Sequence, residues 1–169
     1  METYTERKTC RSCSSTNFKD VLSLGKQHLA AWITDDTPVI KVPLDLVLCQ
    51  DCKLVQLKHT TNPSLMYNDN YGYQSGINQS MKDELSSIVA SVVALKRLER
   101  GDIVVDIGAS DGTLLSFYPK GIIRVAYEPV EKLSKWSQEV VHHLFIDFFN
   151  AKVFKERFVT RTGQKKAKI

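Results

Sequence analysis

No stretch of this 169-residue chain approaches the roughly 18 consecutive apolar residues that a membrane-spanning helix requires. A helical membrane anchor is therefore excluded within these residues. The opening residues Met1-Glu2-Thr3-Tyr4-Thr5-Glu6 offer neither the basic start nor the apolar core of a secretory signal, so the expected location is cytoplasmic. Cysteine is scarce: the chain has four, all of them in two C-x-x-C pairs, and a disulfide scaffold is not expected in a chain without a secretory signal. Histidine is equally scarce, at four, and no serine, histidine and acidic residue fall into a nucleophile–base–acid pattern. Hydrolytic chemistry has no candidate.

Charge of one sign is missing over most of the length as well. The net charge of +4 sits in the last residues, where Lys152, Lys155, Arg157, Arg161, Lys165, Lys166 and Lys168 face Glu156 alone. A basic tail of this kind reads first as a solvated helix face followed by a loop, and only second as a polyanion-binding arm. Nucleic acid is not the expected partner, nor is a membrane. With 43% hydrophobic and 25% charged residues the chain has the composition of a globular protein, long enough for one ordinary domain or for one small and one incomplete domain.

Cys10-Arg11-Ser12-Cys13 and Cys49-Gln50-Asp51-Cys52 each present two sulfurs at knuckle spacing. Two such knuckles read as one tetrahedral four-cysteine zinc site, because each can offer two thiolates to the same ion. Two disulfides and a redox C-x-x-C are the alternatives; no thioredoxin-like pattern surrounds either pair. Between the knuckles, Phe18 to Gly25 and Lys41 to Leu48 read as strands, Asp35-Asp36-Thr37-Pro38 as a loop, and Leu54 to Leu57 as a third strand. A module with so few apolar residues needs the metal for its folding. Four thiolates already close a zinc shell, so His28 and His59 read as surface or turn residues, and His142-His143 as the approach to a strand.

The second informative stretch is Val104-Val105-Asp106-Ile107-Gly108-Ala109-Ser110-Asp111-Gly112-Thr113. A short apolar run, a glycine turn and a helix start describe a buried parallel strand feeding a helix. Gly108 and Gly112 permit positive φ and the close approach of a ligand. Asp106 ends the strand, at the side of an open α/β sheet where ligands bind. A second strand, Ile122 to Tyr127, ends in Glu128, about 20 residues beyond the turn, where an acid commonly grips ribose hydroxyls. Ser110 stands where a dinucleotide fingerprint has its middle glycine. The pattern suits S-adenosylmethionine, which has no pyrophosphate, better than a dinucleotide; a tight turn without any ligand is the plainer alternative.

Around this turn the coarse pattern completes an α/β unit. Ser80 is positioned to cap a helix running to Arg100 and closed by Gly101; Lys132 to Val141 is a second helix, Leu144 to Ile146 a third strand ending at Asp147, and Ala151 to Thr160 a further helix. Lys165 to Ile169 reads as the approach to a fourth strand. The expected strand order is 3-2-1, with strand 1 at an open edge. Residues 62 to 76, rich in Tyr, Asn, Gly and Ser without a period, read as a loop that either serves a ligand or packs as a linker, with Tyr71 and Tyr73 offering hydroxyls and flat faces.

Taken in order, C-R-S-C at 10 to 13, L-S-L-G-K-Q at 22 to 27, P-L-D-L-V-L-C-Q-D-C-K-L-V-Q-L at 43 to 57, Y-G-Y-Q-S at 71 to 75, D-I-G-A-S-D-G-T-L-L at 106 to 115, Y-E-P at 127 to 129 and D-F-F at 147 to 149 resemble the N-terminal part of the sugar C-methyltransferases. These enzymes use S-adenosylmethionine to methylate C3 of nucleotide-linked 4-keto-deoxysugars. The resemblance implies an α/β chain: a zinc-binding β module (residues 1–62), an aromatic linker (63–79), and the incomplete Rossmann-like sheet of a methyltransferase (80–169). It implies zinc on Cys10, Cys13, Cys49 and Cys52. Cofactor contacts would come from Asp106, Gly108, Asp111, Gly112, Glu128 and Asp147, a catalytic role from Tyr71, and substrate contacts from Tyr73 and Ser75. The family turn usually has Ser-Asn where this chain has Ala109-Ser110, which removes one amide side chain near the cofactor. Members of the family run to more than twice this length, and the Glu-His pair that resembles their general base lies in the further part. The expectation is methyltransferase ancestry with little or no turnover by this polypeptide alone, the open strand edge being covered by a further segment or by self-association. The competing expectation is a zinc-ribbon binding module for protein or nucleic acid.

Overall fold

A computed structural model describes residues 2–29, 40–158 and 167–169. The chain divides into two compact units, Met1–Tyr71 and Gly72–Ile169. The expected loop at Asp35 to Pro38 lies outside the described residues.

The first unit is all β. β2 (Phe18–His28), β3 (Lys41–Cys49) and β4 (Val55–Leu57) form an antiparallel sheet in that order, with Phe18 opposite Cys49 and Leu48 opposite Val55. β2 runs past the expected end at Gly25, because register shifts between Asp20 and Leu22 and between Ser23 and Lys26 absorb the irregularity and let pairing resume at Lys26. A second, two-stranded sheet was not anticipated: β1 (Tyr4–Glu6) pairs antiparallel with β5 (His59–Thr61). Each strand is only three residues long, too short for an alternating pattern to stand out. Among the described residues of this unit buried side chains are few, namely Cys10, Val42, Val47, Cys49 and Gln56. Both contiguous apolar clusters among the described residues lie in the second unit.

The second unit begins with α1 (Gln79–Leu95), followed by β6 (Ile103–Ile107), α2 (Thr113–Ser116), β7 (Ile123–Tyr127), α3 (Glu131–Ser137), β8 (His143–Phe145) and α4 (Ala151–Phe158). The cap of α1 is Asn78, whose side chain accepts from the Met81 N–H at 2.7 Å, and not Ser80. α1 also stops short of Arg100. Lys96 turns extended, and Asp102 closes a competing turn by accepting from the Glu99 N–H at 2.7 Å while its own N–H returns to Glu99 O. Leu98 still reaches the core from that turn. α3 ends at Ser137, four residues before the expected limit. The Ser134 and Ser137 hydroxyls bond back to the carbonyls of Glu131 and Ser134, which weakens helix continuation.

The sheet is parallel, in the order β6-β7-β8, with Ile103 opposite Ile123 and Tyr127 opposite Phe145. Alternation along its strands divides the core. Val104 and Ala126 face a cluster with Val89 of α1, Leu115 and Tyr118; Ile103, Val125 and Tyr127 face Phe154 and Phe158 of α4. Both faces are covered, as a parallel sheet requires. The free edge of β6 is partly closed by the chain itself: Lys168 N–H donates to Ile103 O at 2.8 Å, and Val105 N–H to Ile169 O at 2.9 Å. Ala167 bridges Ile103 in parallel sense, so strand 1 is not an open edge over these residues. Lys165 and Lys166 lie outside the described residues.

Candidate functional site

The four cysteines converge. All four Sγ atoms lie within 4.8 Å of one another, with Cys10 and Cys52 at 3.5 Å and Cys13 and Cys49 at 3.6 Å. Tetrahedral zinc with sulfur at about 2.3 Å places its ligands about 3.8 Å apart, so the observed separations fit the ion and are far too long for disulfides. The two knuckles share one backbone design. Ser14 N–H returns to Cys10 O and Lys53 N–H to Cys49 O, and both Ser14 and Lys53 take positive φ, at 62° and 64°.

That design aims backbone donors at sulfur. The Cys13 N–H, with that of Ser12, draws the Cys10 thiol down to about 6 despite desolvation, and the N–H groups of Cys52 and Asp51 likewise lower Cys49. Cys13 goes the other way: the Ser15 N–H lowers it, but the Cys52, Cys49 and Cys10 sulfurs prevail and lift it to about 12. Holding all four sulfurs as thiolates at neutral pH requires a cation among them. Around the knuckles sit two residues whose roles sequence reading missed. Buried Gln56 accepts from the Arg11 N–H at 2.9 Å, and the Arg11 guanidinium reaches Leu57 O, His59 O and Thr60 Oγ1, tying the first knuckle to β4 and β5. Both occur in matched motifs, C-R-S-C and K-L-V-Q-L, but nothing in the spacing joins them. His59 lies 3.6 Å from Asp45 and packs edge-on against Tyr4, away from any ligand role.

In the second unit the turn after β6 is built around Glu128. Its carboxylate, 5% exposed, accepts from the Ser110 N–H through one oxygen and from the Val130 N–H through the other, both at 2.8 Å. Gly108 and Ala109 N–H groups both donate to Tyr127 O, and Gly112 N–H to Ala109 O. Ser110 is held at φ 51° and Gly112 at φ 78°, where a Cβ on Gly112 would lie 3.0 Å from Ser137 Cβ. The turn thus spends these amides on itself. A pyrophosphate cradle would need them free, which counts against a dinucleotide and agrees with the serine at position 110.

Above Gly108 there is room: a Cβ there would meet nothing within 4 Å, and the neighbouring Ile107 is 60% exposed. Asp106, two residues earlier on β6, is half-buried. Burial, and after it the Glu128 carboxylate, pushes Asp106 up to about 6. The Ser110 hydroxyl is buried and finds no partner among the described residues. A desolvated carboxyl, an unsatisfied hydroxyl and an open glycine face are what a polar ligand with donor groups would complete. β8 stops at Phe145, so Asp147 lies two residues beyond the strand that was expected to end at it; it stays exposed, with one oxygen on the Phe148 N–H.

The tyrosine loop is shared between the units. Tyr71 closes the first, packed on Tyr67 at 5.6 Å between ring centres, while Tyr73 and Ser75 belong to the second. There Gly76 N–H donates to Asp111 Oδ2 at 2.7 Å, and Asp111 Oδ1 accepts from Thr113. Gly76 and Thr113 were not singled out by sequence.

Fold and site together describe a four-cysteine zinc module and a three-stranded parallel sheet consistent with a partial Rossmann-like fold. The family described as "Putative zinc binding domain", a methyltransferase-associated family, matches residues 10–67. The C-methyltransferase NovU of Streptomyces niveus is 28% identical over 130 residues, a stretch covering 74% of this chain and 31% of that protein. The match therefore spans about a third of the curated relative. These findings support the resemblance to the N-terminal part of the sugar C-methyltransferases. Among the described residues no helix is long and apolar enough to cross a membrane.

Proposed function

We propose that this chain forms the zinc module and the opening half of the cofactor sheet of an S-adenosylmethionine-dependent C-methyltransferase that acts on a nucleotide-linked 4-keto-deoxysugar. The observation that carries this reading is the turn at Gly108 to Gly112, self-satisfied in its backbone and open over Gly108, with Asp106 and Glu128 at the ends of β6 and β7. S-adenosylmethionine supplies, when bound, an electrophilic methyl group. Glu128 has lone pairs left after serving the turn and is the residue proposed for the ribose hydroxyls; Asp106 and the Ser110 hydroxyl would satisfy further donors, and Asp147 would border the site.

The substrate's keto group acidifies the neighbouring C3 proton, and removal of that proton leaves an enolate whose carbon takes the methyl. A hydroxyl donor to the enolate oxygen stabilises that charge as it develops. Tyr71 is proposed for that role, with Tyr73 and Ser75 on the substrate side. In the family the general base lies outside the stretch that this chain resembles, so the 169-residue polypeptide is proposed to show little or no turnover by itself. Cytoplasmic location and a nucleotide-sugar partner follow from the same reading.

Isothermal titration of the zinc-loaded chain with S-adenosylhomocysteine tests this. Saturable binding, weakened about tenfold or more by Glu128→Gln, is the expected result, since one of the two acceptor oxygens is replaced by a donor. Absence of binding by a chain whose second unit is folded by near-ultraviolet circular dichroism would refute the cofactor assignment and leave the zinc module as the functional part.

A further inference from the structure

Gly72-Tyr73-Gln74-Ser75-Gly76 carries the two side chains proposed for the substrate, yet it has no helix or strand of its own. What secures it lies at its far end. The Gly76 N–H donates to Asp111 Oδ2 at 2.7 Å, while Asp111 Oδ1 accepts from the Thr113 N–H at 3.2 Å and the Thr113 hydroxyl at 2.7 Å. One carboxylate thus joins the loop to the first residue of α2. The approach leaves no room for a side chain. A Cβ on Gly76 would fall 2.5 Å from Thr113 Oγ1 and 2.9 Å from Asp111 Oδ2. Gly76 is not among the glycines at positive φ, so close approach and not backbone conformation requires glycine there.

The geometry points to Asp111 as a positioning residue that clasps Gly76 and so sets Tyr73 and Ser75 in register with the cofactor turn. Its two oxygens already serve Gly76 and Thr113, so it holds the loop whether or not a cofactor also reaches it. A carboxylate accepting from an N–H is stronger than a neutral pair, and Asp111 is separated from Gly108 by Ala109 and Ser110 alone. Occupation of the turn is therefore expected to steady the substrate loop through this hydrogen bond. For the identity of the occupant this inference rests on the cofactor reading; for the clasp it does not.

Amide hydrogen exchange on the zinc-loaded full chain, with and without saturating S-adenosylhomocysteine, tests it. Native protein is compared with Asp111→Asn, which cannot accept from both sides, and with Gly76→Ala, which forces the loop away while leaving the carboxylate in place. Exchange of the residue-76 amide, the one that donates to Asp111, is expected to quicken about tenfold or more in both variants while Val105 and Val125 in the parallel sheet keep their native rates. S-adenosylhomocysteine is expected to slow exchange at 72–78 in the native protein and not in the variants. Unchanged exchange of the Gly76 amide in Asp111→Asn would overturn the proposal, and so would equal acceleration of that amide and the sheet in both variants, which marks general destabilisation. Failure of the ligand to protect any native amide would instead defeat the cofactor reading, with the ligand-free comparison still deciding the clasp.

Discussion

Two carboxyl groups share the crevice at the ends of β6 and β7, and their surroundings differ. Asp106 is raised from 3.8 to about 6, first by burial and then by Glu128. A carboxyl raised on folding holds its proton in the native state where the unfolded chain has lost it. Its contribution is most favourable below pH 3.8, declines as pH rises towards about 6, and stays reduced above that. The shift corresponds to on the order of 3 kcal/mol. Asp106→Asn should remove this component, flattening the fall in stability of the second unit across that window when urea denaturation is followed at a series of pH values. Glu128, by contrast, is held by two backbone donors. Glu128→Ala leaves both N–H groups buried without partners and should cost about 2–4 kcal/mol by the same measurement. Gly112→Ala puts a Cβ at positive φ and against Ser137, and a loss of about 1–3 kcal/mol is expected in thermal unfolding.

The zinc knuckles are local elements whose sequence and backbone agree closely. C-x-x-C followed by a residue at positive φ recurs at Cys10 to Ser14 and at Cys49 to Lys53, and the spacing alone was enough to assign it. Cys49→Ser should reduce bound zinc, measured by plasma emission, from about one ion per chain to near none, because three thiolates leave the tetrahedral shell open. Elsewhere element type was legible and element limits were not. The periodic apolar positions of α1 were visible, but its end was decided by Asp102 folding back on Glu99, and its start by Asn78. β1 and β5 were invisible because three-residue strands carry no period, and their pairing joins Tyr4 to Thr61. The edge of β6 was expected to be open, yet residues 167–169 pair along it.

The two units differ in what holds them together. The parallel sheet has an apolar cluster on each face, whereas the first unit encloses few apolar side chains around its cysteines. Zinc binding to such small modules supplies roughly 10–16 kcal/mol of apparent free energy, far more than those side chains could. Chelation should therefore abolish protection of β3 and β4 while the amides of β6 and β7 keep theirs, as followed by hydrogen exchange. Simultaneous collapse of both sets would mean that the units fold as one.

The sequence by itself reached the fold class, the four-cysteine cluster, the glycine turn and the order of the parallel strands, because each is written in a short stretch: a spacing, a period, a run. It could not reach the partners that give the site its shape. Glu128 holding Ser110, Gln56 and Arg11 bracing a knuckle, and Asp111 clasping Gly76 all join residues well separated along the chain. Those contacts exist only once strands and knuckles have been brought side by side. Residue types and local spacing, then, determined which chemistry is present, and tertiary packing alone decided which oxygen serves the backbone and which surface stays open for a ligand.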